Sequence, residues 1–110
     1  MSDRRRSAPA PSSLDEAKNR FRLEEFADFL LYERGLAKRT VEAYLADCAS
    51  LIEDLHAIGV REPGAAKYDA LRAHLARLGD QGLSARSVAR RRSAFRTYFG
   101  FLVEEGYLPE

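Results

Sequence analysis

The sequence predicts an all-α fold, a bundle of four helices connected by short links. Apolar side chains recur every three to four residues in four separate segments, as they do along one face of a helix. No segment shows the alternation of apolar and polar residues that is typical of a strand. Glycines follow the first and third segments, where a tight turn would pair each helix with the next. The pattern therefore indicates two helical hairpins in series, packed around one core.

The first helix is predicted over residues 23–34. Its apolar stripe is formed by Leu23, Phe26, Ala27 and Leu30. Gly35 follows directly and is a typical residue at the end of a helix. An S-x-x-E pattern from Ser13 to Glu16 is typical of a capping box, so a helix could also begin there.

The second helix is predicted over residues 38–56. Its apolar face consists of Val41, Tyr44, Leu45, Cys48, Leu51, Ile52 and Leu55. Cys48 lies in the middle of this face, which indicates a small core residue rather than a reactive thiol. The other side is acidic and would repel phosphate, since it carries Glu42, Asp47, Glu53 and Asp54. Because the first turn is basic, we expect this helix to meet a polyanion end-on, through Lys38, Arg39 and Thr40.

The third helix is predicted over residues 67–78, after a loop that contains Gly59, Pro63 and Gly64. Its apolar stripe consists of Tyr68, Leu71, Leu75 and Leu78. His74 is adjacent to this stripe, and we expect it at the boundary of the core rather than as a ligand.

The fourth helix is predicted over residues 84–103, with Ser84 as its N-cap. One face is apolar and holds Val88, Phe95, Phe99 and Leu102, with Tyr98 at its edge. Arg92 points onto this apolar face, where its charge must reach solvent or find an acid. The opposite face is a strip of arginine and hydroxyl side chains, formed by Arg86, Arg90, Ser93 and Thr97.

The charge of this last helix is its most informative property. Residues 82–103 contain five arginines and no acid, although the whole chain is nearly balanced, with 18 basic and 17 acidic residues. Exposed helices that are only solvated usually mix both signs. The segregated arginines therefore favour a localised contact with a polyanion.

A short motif occurs twice and links the two hairpins. Residues 35–41 are GLAKRTV and residues 82–88 are GLSARSV, each of which joins one helix to the next across a glycine. Each hairpin thus ends in a helix with a basic first turn. Two such ends on one surface would suit two neighbouring contacts on a DNA duplex.

Composition limits the remaining possibilities. The length of 110 residues fits one domain, and we expect a disordered tail over residues 1–12 and a helical domain over residues 13–110. No apolar run is long enough for a membrane span or a signal peptide, and the single cysteine fits a reducing, cytoplasmic environment. Two distant histidines and one cysteine give no metal site, no catalytic triad and no cofactor site.

Three segments together resemble a known family. They are L-x-x-F-x-x-F-L-x-x-E-R-G-L in the first helix, T-x-x-A-Y in the second, and the run GLSARSVARRxSAxRxxFxFLxxEG at the end. These segments resemble the N-terminal core-binding domain of tyrosine site-specific recombinases, and are most similar to the bacterial Xer type. The resemblance covers residues 20–110.

The resemblance implies a SAM-like fold in which the two hairpins cross, with helices two and four against the major groove of double-stranded DNA. It implies contacts from Arg39, Thr40 and Ala43 and from Arg86, Ser87 and Arg90. Catalysis would belong to a C-terminal domain beyond residue 110, so this chain is expected not to be an enzyme by itself. The partners implied are that domain and other recombinase subunits in a tetramer on DNA. With the residues chosen from the charge pattern, the candidate DNA-binding set is Lys38, Arg39, Thr40, Ala43, Ser84, Arg86, Ser87, Arg90, Arg91, Ser93 and Thr97.

The sequence departs from the family pattern at two positions. Ala37 occupies an N-cap where the family usually has serine, and Arg92 stands where the family usually has leucine. The function implied is a DNA clamp for strand exchange, as in Xer-type chromosome dimer resolution, which would link the chain to chromosome partition and cell division. A phage or transposon integrase and a helical adaptor for an acidic protein remain alternatives. A helix-turn-helix repressor fits less well, because its recognition helix is short.

Overall fold

The computed structural model describes residues 14–109 and is helical, with no strand in that range. Its helices are α1 (Leu14–Arg20), α2 (Leu23–Asp28), α3 (Lys38–Ala57), α4 (Tyr68–Asp80) and α5 (Ala85–Glu104). A wider π-helical turn, Phe29–Glu33, continues α2, and a short 3-10 turn, Pro63–Ala65, precedes α4. The all-α prediction is confirmed. The predicted tail over residues 1–12 and Ser13 of the capping box lie outside the described residues.

The two starts considered for the first helix belong to two separate helices, α1 and α2, which are divided at Arg22. This residue adopts a left-handed conformation with φ 62°, which is uncommon for a residue other than glycine. The amide of Phe26 donates to the carbonyl of Arg22, so α2 begins directly after the break. The carbonyl of Phe21 accepts a hydrogen bond of 2.5 Å from the buried hydroxyl of Tyr98 on α5. The two helix starts that the sequence left open are therefore both present.

The segment that continues α2 is π-helical rather than α-helical. The amide of Arg34 donates to the carbonyl of Phe29, five residues back, at 3.0 Å. Phe29 and Leu30 are adjacent in sequence and both are buried, while Tyr32 is 80% exposed. A regular helix was predicted over this segment, because apolar spacing alone does not reveal one extra residue in a turn.

The core lies between α3 and α5, with α1 and α2 on one side and α4 on another. Tyr98 and Phe101 are fully or almost fully buried, whereas Val88 and Phe99 are only half-buried. The buried face of α5 is thus rotated from the predicted one towards Tyr98 and Phe101. Cys48 is fully buried, as predicted, and burial together with the nearby charge of Asp47 raises the pKa of its thiol.

The helix ends agree with the predictions to within about two residues. Ser84 caps α5, because its Oγ accepts from the amide of Ser87 at 3.1 Å. Ala37 provides no side-chain cap for α3, and this departure from the family pattern has the expected structural effect. Beyond α5, the ring of Tyr107 lies 4.3 Å from the guanidinium carbon of Arg22 and near Phe101, so this tyrosine has a packing role.

Polar side chains connect α3 to α4. His74 is buried, and its Nδ1 lies 2.5 Å from Oδ2 of Asp54, which also accepts from Arg77 at 2.8 Å. Both residues differ from expectation, since His74 is inside the core boundary and Asp54 is bonded rather than freely solvated. Burial alone would raise the pKa of Asp54, but hydrogen bonds from Arg77 and His74 outweigh it and lower the pKa.

This carboxylate should contribute a pH-dependent part of the stability. A lowered folded-state pKa means that the contribution is present above the ordinary value of 3.8 and is lost as the pH falls through the folded-state pKa. Urea denaturation of wild type and Asp54→Asn from neutral pH to about pH 3 measures it. We expect wild type to lose stability on acidification more steeply than Asp54→Asn. Glu53→Gln, an exposed neighbour, is the control and should follow wild type; equal slopes for all three proteins would contradict the assignment.

Within residues 14–109, no helix combines the length and the apolar character that crossing a membrane requires.

Candidate nucleic-acid interface

The first turn of α3 presents basic and hydroxyl side chains to solvent. Lys38, Arg39 and Thr40 are exposed, and Ala43 one turn later is half-buried. The first turn holds no acid, so the positive end of the helix dipole is not neutralised locally. The arrangement provides a cationic helix end that can accept a phosphate.

The first turn of α5 is the second cationic helix end. Arg86 is exposed, and no acid lies in this turn. Ser84 and Ser87 are bonded to each other, because Oγ of Ser84 lies 3.1 Å from Oγ of Ser87 as well as from its amide. Ser84 is therefore a capping residue, and the hydroxyl of Ser87, which accepts from Ser84, can still donate to a ligand.

Arg90 is not a free member of the arginine strip. Its Nε donates to Oδ2 of Asp47 at 3.0 Å and its Nη2 donates to Oδ1 at 2.7 Å, a bidentate pair across α3 and α5. These hydrogen bonds and the charge of Asp47 raise the pKa of Arg90. The side chain is still 46% exposed, whereas that of Asp47 is 1% exposed. Asp47 thus fixes the Nε and Nη2 side of the Arg90 guanidinium, while part of the side chain still reaches solvent.

Arg91 lies further inside than predicted. Its side chain is 18% exposed, and its Nε is 3.5 Å from Oδ1 of Asp47, too far for a hydrogen bond. Because the buried face of α5 is rotated, Arg91 precedes the buried Ala94 and Phe95 on that side of the helix. Arg91 is not presented as an outward DNA contact in this structure.

The remaining predicted residues of α5 divide between two environments. Ser93 is exposed and Thr97 is half-buried. Arg92 and Arg96 are exposed at the rim of a groove between α4 and α5, whose apolar walls include Leu75, Val88 and Phe99. Arg92 does lie beside Val88 and Phe99, as predicted, and its charged end reaches solvent. Within the part of the chain that the structure describes, it has no acidic partner.

Sequence reasoning missed Asp47 as part of this site. It was placed on a solvated acidic flank, whereas the structure buries it beneath two arginines. Its spacing was informative, since Tyr44, Asp47, Cys48 and Leu51 follow the i, i+3, i+4, i+7 pattern of one helix face. An acid within an apolar stripe requires a cationic partner, and α5 is the helix that is rich in arginine.

Comparison with known proteins shows the family to which this chain belongs. Residues 23–106 match the family described as phage integrase, N-terminal SAM-like domain. Tyrosine recombinase XerD of Brucella abortus (strain 9-941) is 38% identical over 85 residues, which are 77% of this chain and 27% of that protein. The XerD protein of Agrobacterium fabrum is 41% identical over 77% of this chain and 25% of its own length. The XerD protein of Listeria monocytogenes is 33% identical over 76% of this chain and 29% of its own length. The chain thus spans less than a third of these relatives. No solved structure matches it.

Proposed function

Since the chain belongs to the phage integrase N-terminal SAM-like domain family, we propose that it is the DNA-binding module of a tyrosine site-specific recombinase. The observation that carries the proposal is the pair of cationic helix ends, at the starts of α3 and α5, on two helices that pack directly against each other. Neither end carries an acid in its first turn. The module would hold one side of the duplex while the rest of the recombinase holds the other.

The two ends have different roles in this proposal. Lys38, Arg39 and Thr40 contact the backbone of the duplex, where a helix N-terminus and lysine or arginine side chains favour phosphate. Arg86 and Ser87, which start α5, lie against the major groove and position that helix along it. Arg90 contributes a further cationic side chain on α5, which is 46% exposed although Asp47 holds it in a bidentate pair.

We propose that the recombination is of the Xer type, in chromosome dimer resolution, because the relatives that match over this domain carry that name. The activity would then require a catalytic domain in the same protein and other subunits assembled as a tetramer on DNA. Phage or transposon integration is the second candidate, since the family description itself names phage integrases. The DNA site that the complete protein recombines distinguishes the two.

The tyrosines of this chain are not proposed as nucleophiles. Tyr98 is fully buried, its hydroxyl is bonded to a carbonyl, and burial raises its pKa strongly. Tyr107 packs against Arg22 and Phe101. Incubation with a nicked or suicide duplex should give no covalent adduct with this chain, because catalysis in this proposal belongs to the catalytic domain. A phosphotyrosyl adduct on any tyrosine, including the exposed Tyr32 and Tyr68, would contradict the assignment.

Titration of a mixed-sequence duplex at several salt concentrations tests the proposed interface. Arg39→Ala and Arg86→Ala should each weaken binding and lower the magnitude of the salt slope by about one unit, as loss of one phosphate contact does. Arg92→Leu is the matched control, because it removes the same charge from α5 at the groove with α4. It should leave affinity nearly unchanged. If Arg92→Leu abolishes binding while Arg86→Ala does not, the opposite face of α5 meets DNA.

A further inference from the structure

The cluster of Asp47, Arg90 and Arg91 has more donors than its one carboxylate satisfies. Both oxygens of Asp47 accept from Arg90, at 3.0 and 2.7 Å. Arg91 approaches the same carboxylate but stops at 3.5 Å. Its Nε and Nη1 are buried and have no hydrogen-bond partner. Buried donors are nearly always paired in folded proteins, so two unpaired guanidinium nitrogens in one side chain require an explanation.

The two arginines differ in their exposure to solvent. Arg90 is 46% exposed, so a solvent-borne anion can reach its guanidinium. Arg91 is 18% exposed, and its Nε, which is buried and has no hydrogen-bond partner, lies 3.5 Å from Oδ1 of Asp47. A movement of about half an ångström would bring Nε of Arg91 within hydrogen-bond distance of Oδ1. Asp47 itself is 1% exposed and always needs a cationic partner.

We infer that Asp47 is a positioning residue that holds Arg90 in the free protein and is handed over to Arg91 when Arg90 binds a DNA phosphate. The inference rests on the proposed function, because it requires DNA to reach Arg90. The phosphate binds the guanidinium of Arg90, and the carboxylate released by Arg90 accepts from Nε of Arg91. The buried acid therefore keeps an ion-pair partner in both states, and the unpaired Nε of Arg91 gains an acceptor.

The handover would lower the energetic cost of freeing Arg90. Without Arg91, binding of a phosphate to Arg90 would leave a buried carboxylate with no cation, which is strongly unfavourable. With Arg91 in place, one ion pair replaces another. Arg91 would thus promote DNA binding without contacting DNA, a role different from the direct contact that the sequence predicted for it.

A double-mutant cycle on the full chain tests this mechanism. The variants are Arg91→Met, Asp47→Asn and the double variant, and the probe is a mixed-sequence duplex titrated by fluorescence anisotropy. Arg91→Met should weaken binding roughly tenfold, because Arg90 stays bound to Asp47. Asp47→Asn should tighten binding, since it releases Arg90. In the Asp47→Asn background, the loss caused by Arg91→Met should largely disappear.

Other outcomes overturn the inference in distinct ways. An equal loss from Arg91→Met in both backgrounds means that Arg91 contacts DNA directly, and no loss in either means that no handover occurs. If wild type binds the duplex, these results leave the proposed function standing. A wild-type chain with no salt-dependent affinity for duplex DNA would overturn the proposed function as well.

A second measurement does not depend on whether the variants fold. The side-chain Nε–H resonances of Arg90 and Arg91 in the wild-type protein can be followed by NMR during titration with the duplex. We expect the Arg91 resonance to move towards that of a hydrogen-bonded guanidinium as DNA is added, together with a change at Arg90. A change at Arg90 with an unaltered Arg91 would overturn the handover.

Discussion

Phe26→Ala is expected to lower the free energy of unfolding by about 3–5 kcal/mol, as truncation of a buried phenylalanine usually does. Phe26 is fully buried. Its ring centroid lies 5.1 Å from that of Tyr98, in an edge-to-face arrangement, and 5.3 Å from that of Phe101. The lost ring would leave a cavity where α2 contacts α5. Because domains of this size are stable by about 5–15 kcal/mol, the variant should be close to unfolding.

Urea denaturation followed by circular dichroism measures this effect. Tyr32→Ala is the matched control, since it removes an aromatic ring that is 80% exposed from the same segment of the chain. The control should change stability by less than about 0.5 kcal/mol. Similar losses in the two variants would mean that α2 does not pack against α5 through Phe26.

Simultaneous replacement of Arg90 and Arg91 with methionine is expected to cost about 3 kcal/mol of stability, because it leaves Asp47 without a cation. Each single variant should cost less, since the other arginine remains near the carboxylate. The lost hydrogen bonds of Arg90 add little by themselves, because half of that side chain is already in solvent.

Adding Asp47→Leu to the double variant separates this cause from general disruption. A leucine at this buried position needs no cationic partner, so the triple variant should recover most of the lost stability. Thermal or urea denaturation of the single, double and triple variants gives the comparison. If the triple variant is no more stable than the double, the cost comes from lost packing of the arginine stems and not from the stranded carboxylate.

Local signals predicted most of the fold. Gly35 and Gly82 both have positive φ, 63° and 98°, and each lies in the turn where a hairpin was expected. Ser84 caps α5 as its position after Gly82 indicated. These features depend on the chemistry of a few consecutive residues, which a single sequence contains in full.

The structure differs from the predictions mainly where contacts between helices distant in sequence decide which side chains are buried. The π-helical turn after α2 was not predicted, because the spacing of Phe26, Phe29 and Leu30 is that of a regular helix. The apolar stripe of α3 indicates that Asp47 is buried and needs a cation, but the partner, Arg90, is 43 residues away and only the packing of α5 identifies it. The candidate basic residues were chosen from the charge pattern of the sequence, and only the packing of α5 shows that Arg91 faces inwards.

The hydrogen bond from Tyr98 to the carbonyl of Phe21 has a consequence for how the chain folds. It joins residues that are 77 positions apart, so the entropy of closing a loop of most of the chain opposes it until other contacts hold α5 against the first helices. The first hairpin therefore lacks one of its core contacts until α5 arrives, and α5 lacks a partner for a buried hydroxyl until the first helices are in place. Neither half is complete alone, which favours one cooperative unfolding transition over stepwise loss of two hairpins.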